Sequence, residues 1–187
     1  MEKIEDMLAR MNKAFTKANP HELRDIFSTS TSTFAIYQTK VWFSISLISY
    51  TLSKMLQKPR LEQALDKNSD RISEALGQAA AFYKMGKGAE CQQALDKVLE
   101  QIQGVETQDR RFISDLVTKS RTKIAALLYA QGLSLDTAVG LTGAERNEVL
   151  NYSGKTMMPD RMGKTLSERD RLAYARKLVK KGNNNKK

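Results

Sequence analysis

The sequence predicts an all-α protein in which an N-terminal helical bundle is followed by a pair of short helices and a basic C-terminal helix. Two observations carry this prediction. Only 3 of the 187 residues are proline and 10 are glycine, while strong helix formers (Ala, Leu, Lys, Glu, Gln and Arg) dominate. Apolar residues recur at spacings of three and four along most of the chain, the period of a helix with one buried face. At 41% hydrophobic, the chain can build a packed core and is not wholly disordered. Its length suits one domain, or one domain with a small module. The expected divisions are residues 1–106, 107–153 and 154–187.

The first helix covers residues 2–19, where Ile4, Met7, Leu8, Met11 and Phe15 share a face. Pro20 ends it or opens a short turn of helix through Phe27. The hydroxyl run Ser28–Thr33 predicts a break, with one of its side chains capping the next helix. That helix runs from Phe34 to about Leu56 on the stripe Val41, Ile45, Ile48, Leu52 and Met55, broadened by Trp42, Phe43 and Tyr50. Residues Phe43–Leu47 also alternate as a short strand would, but the helical stripe is longer and no turn residue interrupts it. The 13 uncharged residues between Lys40 and Lys54 fall short of the roughly 18–20 that span a bilayer. They predict a buried helix. With no secretory signal visible at the N-terminus, a cytoplasmic chain with no membrane partner is expected.

Pro59 opens the next helix, with Leu61, Leu65, Ile72, Leu76, Ala79 and Tyr83 inward, and Gly86 and Gly88 close it. Residues 89–102 form its partner through Leu95, Val98, Leu99 and Ile102. The hairpin is faintly similar to a single tetratricopeptide unit, but no second copy follows at the 34-residue interval of such arrays. Gly104 then separates it from a long helix over residues 107–131, carrying Phe112, Ile113, Leu116, Val117, Ile124, Leu127 and Leu128. Gly132 stops that helix, and Ser134 or Asp136 caps a short one through Leu141. Gly143 provides a tight turn into a second short helix, residues 144–152, with Val139, Val149 and Leu150 pointing inward. A capping box, Thr165-Leu-Ser-Glu168, opens a last helix to about Lys181, and Gly182 ends it.

The chemistry-bearing residues are few. Cys91 and His21 are the single cysteine and the single histidine, so a disulfide framework, a multi-cysteine cluster and most histidine-based metal sites are excluded. No catalytic residue, metal or cofactor is expected. Gly-Lys-Thr occurs at Gly154 and at Gly163. Neither is a phosphate loop, because Val149 and Met158 occupy the positions where such a loop needs its first glycine. Charge is the strongest signal. The chain holds 31 basic and 21 acidic residues, a net of +10. Residues 154–187 hold 11 of the basic and 3 of the acidic ones, a net of +8. Such a block attracts a polyanion.

Over roughly residues 122–153 the chain resembles the helix-turn-helix superfamily of DNA-binding proteins. The carriers of the resemblance are Val139, Gly143 and Val149, at the spacing of the small residue, glycine and aliphatic residue of that family, together with the phrase Leu141-Thr142-Gly143. Val139 is larger than the usual alanine, and Ala144 replaces an aliphatic residue often found after the glycine. The resemblance implies that residues 144–152 enter the major groove. Arg146 would then contact guanine, and Asn147 or Asn151 adenine. Glu145 and Glu148 argue against this helix simply lying on phosphates. Phosphate contacts fall to the basic extension: Lys155, Arg161, Lys164, Arg169, Arg171, Arg176 and Lys177.

These expectations describe a DNA-binding protein of the transcriptional-regulator kind, with DNA preferred to RNA and a homodimer formed through the bundle. Two alternatives stay open. One is non-catalytic RNA binding; the arginine that a HEPN-type ribonuclease places a few residues before its histidine is missing ahead of His21. The other is an interaction scaffold in which Met7 and Met11 pair between chains.

Overall fold

The computed structural model describes residues 3–108, 116–160 and 176. Nine α-helices occur among the described residues: α1 (Ile4–Thr16), α2 (Pro20–Tyr37), α3 (Lys40–Met55), α4 (Pro59–Asp66), α5 (Ser69–Lys84), α6 (Gly88–Gln108), α7 (Leu116–Ala130), α8 (Leu135–Thr142) and α9 (Arg146–Asp160). No strand is found among them, so the alternation at Phe43–Leu47 resolves as helix. Phe112 and Ile113, the capping box at Thr165 and the helix expected after it lie outside the described residues, except for Arg176, which is helical and exposed.

The chain divides into two compact units: Met1–Ser30 with Thr39–Val117, and Thr31–Gln38 with Thr118–Lys187. In the first unit α1 packs on α5, α5 on α6, α6 on α3 and α3 on α1, which closes a ring of four helices; α4 packs on α6, α3 and α5. The spacings read from the sequence explain the ring. Met7, Leu8 and Met11 of α1, Ile45, Ile48, Leu52 and Met55 of α3, Ile72, Leu76 and Ala79 of α5, and Cys91, Leu95, Val98 and Ile102 of α6 are all fully buried. Each large side chain so buried contributes about 1.5–3 kcal/mol relative to exposure. Met7 and Met11 are therefore spent inside one chain, and the expectation that they pair between chains is corrected.

The hydroxyl run Ser28–Thr33 does not break the chain. It lies inside α2, which is one helix from Pro20 to Tyr37. Asn19 opens it, its Oδ1 accepting from the N–H groups of His21 and Glu22 at 3.1 and 3.2 Å. Serine and threonine survive within a buried helix by donating to carbonyls three or four residues back. Ser30 donates to Phe27 O at 3.2 Å, and the single Ser46 hydroxyl proton is shared between Ser30 Oγ and Trp42 O, each at 2.9 Å. The same device serves four of the five buried hydroxyls of α3, with Ser46 donating to Trp42 O, Ser49 to Ser46 O, Thr51 to Leu47 O and Ser53 to Tyr50 O. The fifth, Ser44, accepts from the Gln92 amide at 2.9 Å. The interruption falls later, at Gln38, which adopts φ +51° before α3 begins.

Two further boundaries differ from expectation. The helix opened by Pro59 is two helices, because the chain turns at Lys67–Asn68 and the Ser69 hydroxyl donates to Asp66 O at 2.9 Å. Gly104 is no separator; it is exposed within α6, where an added Cβ would meet nothing within 4 Å. An exposed glycine costs a helix only about 1 kcal/mol against alanine, and the buried stripe of α6 offsets that. Among the described residues, no helix is long and apolar enough to cross a membrane.

Candidate nucleic-acid interface

The segment α7–α8–α9 lies in the second unit from Thr118 onward. Gly132 adopts φ +105° as α7 ends. Ser134 then caps α8, its Oγ accepting from the Thr137 N–H at 3.1 Å. Of the two caps expected, Ser134 is the one used, and Asp136 sits in the first turn. Gly143 closes α8 in the left-handed region at φ +66°, with its N–H bonded to Val139 O at 2.8 Å. Only glycine takes that conformation without a Cβ penalty.

Contacts made by Thr142, Arg121, Thr122 and Lys123 fix the hairpin. The Thr142 hydroxyl donates to Ala138 O at 2.7 Å and accepts from the Ala144 N–H at 3.4 Å. Arg121 of α7 donates from Nη1 to Thr142 O at 2.8 Å, satisfying a carbonyl left over at the end of α8. Thr122 of α7 donates to Glu148 Oε2 at 3.1 Å, which ties the first turn of α9 to α7. Near the other end of the contact, the Lys123 ammonium lies 5.0 Å from the centre of the Tyr152 ring.

The residues buried beneath α8 and α9 are Ala138, Thr142, Ala144, Val149 and Ser153. Two expected inward residues differ. Val139 is half-buried, and Leu150 is 43% exposed. The smaller Ala138, one position earlier, takes the central contact instead. Leu150 turns out because it follows Val149 by a single residue, about 100° around the helix.

The sequence-predicted residues fall into three groups. Asn147 and Asn151 are both exposed, four residues apart on one face of α9. Arg146 is exposed but engaged, its guanidinium paired with the Asp136 carboxylate of α8. Lys155 belongs to α9, which continues past Ser153 to Asp160 rather than ending at 152. Arg176 is exposed, and Arg161, Lys164, Arg169, Arg171 and Lys177 lie outside the described residues. The structure thus brings Arg146, Asn147 and Asn151 onto one helix, with Leu150 beside the asparagines.

The sequence assigns Leu150 an inward place and Asp136 a capping role, and gives no role to Arg121. Leu150 was legible in part, since it stands three residues after Asn147 and one before Asn151. The other two act through the geometry of the turn and carry no signal in spacing. Glu148 also changes meaning: it is exposed, and one oxygen of its carboxylate accepts from Thr122 of α7. Comparison with known proteins returns no match, whether to a family model, to a curated protein or to a solved structure.

Proposed function

We propose that this chain is a helix-turn-helix protein that binds duplex DNA and regulates transcription. In this reading α9 lies in the major groove, and the basic residues from Lys155 onward hold the phosphates. The observation that carries the reading is the capped α8, the left-handed Gly143 and the exposed face of α9. That face presents Asn147, Leu150 and Asn151 over a fully buried Val149. Asparagine amides suit adenine in the major groove, where one side chain can pair with both N6 and N7. The strip formed by Asn147, Leu150 and Asn151, flanked by the exposed Glu148, is poorly suited to phosphates alone and well suited to base edges. Affinity then has to come from elsewhere, and the net +8 of residues 154–187 supplies it.

The test is selection from a random duplex pool, followed by anisotropy titration of the selected duplex and of the unselected pool. The full chain recovers a recurrent motif and prefers it to the pool. An Asn147→Ala, Asn151→Ala double variant retains pool binding and loses about tenfold or more of the preference, since each good base contact is worth about 1–3 kcal/mol. Tighter binding to single-stranded or duplex RNA would replace this reading with an RNA-binding one. Absence of binding to either at low salt would leave an interaction scaffold.

A further inference from the structure

Leu150 is one of two large apolar side chains exposed among the described residues, 43% accessible; the other is Met85, on the turn after α5. Its setting on α9 is polar. Asn147 precedes it by three residues and Asn151 follows it directly, and both are exposed. The buried side of the helix, marked by Val149 and Ser153, gives Leu150 no inward role. The arginine next to this face is engaged by Asp136. What this side of α9 offers a duplex is therefore two amides and one aliphatic surface, flanked by the exposed Glu148, with the Arg146 guanidinium drawn toward α8.

Resting on the DNA-binding reading above, we infer that Leu150 is a specificity-determining residue that packs on the C5 methyl of thymine. The duplex this face selects has an A·T-containing half-site. The chemistry of the major groove supports the pairing. Thymine alone among the bases presents a methyl group there, and adenine alone presents the adjacent acceptor and donor that an asparagine amide matches. An aliphatic side chain beside two asparagines complements a step in which adenine and thymine stand side by side. Covering Leu150 also removes from water an apolar surface that the protein itself leaves exposed.

The experiment replaces thymine by deoxyuridine in the duplex recovered by selection. Deoxyuridine keeps every hydrogen-bonding group and lacks only the methyl. The full chain should bind the thymine duplex about three- to fivefold more tightly, the effect of burying one methyl group. Leu150→Ala should bind both duplexes equally, with helicity unchanged by circular dichroism because the side chain is exposed. Equal binding of the two duplexes by the unmodified chain, with sequence preference intact, would overturn the role of Leu150 and leave DNA binding standing. Thymine preference that persists in Leu150→Ala would also overturn it, by assigning the methyl contact to another residue. Failure to bind any duplex would overturn the DNA-binding reading itself.

Discussion

Replacing Gly143 by alanine tests the turn on which the α8–α9 hairpin depends. The glycine sits at φ +66° and ψ +25°. An L-residue in that region costs roughly 1–2 kcal/mol relative to the right-handed helix. Sterics add little: a Cβ built at this position has Arg121 Nη1 as its nearest neighbour, 3.5 Å away, an ordinary contact. The smaller unfolded-state entropy of alanine offsets about 0.4–1 kcal/mol. The net expectation is a loss of about 1 kcal/mol, confined to the hairpin. Amide hydrogen exchange reads it directly, because the Ala138 and Val149 N–H groups bond within α8 and across the first turn of α9, to Ser134 O at 2.9 Å and Glu145 O at 3.0 Å. In Gly143→Ala these amides should exchange about fivefold faster, and those of α1 and α5 at the original rate. Gly143→Asn should show a smaller effect, since asparagine tolerates the left-handed region. Unchanged exchange in the alanine variant would refute the claim that the left-handed turn constrains the hairpin. So would an asparagine variant as perturbed as the alanine one.

Three further outcomes follow from particular contacts. Ser134→Ala removes the cap of α8 and should cost about 1 kcal/mol, read as faster exchange of the Thr137 amide, whose N–H loses its acceptor. Asp136→Asn should release Arg146 and remove a negative charge beside α9. Both partners are more than half exposed, at 55% and 80%, so the melting temperature should barely move, while duplex affinity at low salt rises; lowered affinity would show that the pair positions Arg146 for binding. Burial pushes the Cys91 thiol up to about 11 from an ordinary value near 9. It should therefore resist alkylation at pH 8 in the native chain and react once the chain is unfolded. The native state then holds a proton that the unfolded chain has lost between the two values. This contribution to stability is complete below pH 9 and falls away as pH rises through about 11, so a denaturant midpoint that increased over that interval would contradict it.

How far these features were legible depends on whether the signal is local. The α1 stripe, the buried α3, the Ser134 cap and the Gly143 turn were readable because each rests on residue type and spacing within a few positions. The Ser28–Thr33 run misled because hydroxyl polarity suggests solvent, whereas Ser30 and the serines of α3 satisfy themselves on carbonyls and one another. The real interruption at Gln38 uses a residue with no special claim to positive φ. Gly104 looks like a stop yet stands inside a helix. At the candidate interface, spacing located α9, but it left the rotation of the helix open by one residue, the difference between an inward and an outward Leu150. The Arg146–Asp136 pair spans ten residues across the turn, and only the folded hairpin brings its members together.

The central claim is that α9 reads bases while the basic extension holds phosphates. It is tested most directly by titrating the selected duplex and the random pool across a salt series. The titration compares the full chain with a variant carrying glutamine at Arg161, Lys164, Arg169, Arg171, Arg176 and Lys177. Each lost phosphate contact lowers the slope of log affinity against log salt by about 0.9. The variant should show a clearly shallower slope and weaker binding to both duplexes, with the preference for the selected duplex preserved. A variant that keeps the full slope, or that loses the preference while keeping affinity for the pool, would contradict the division of labour between the two segments.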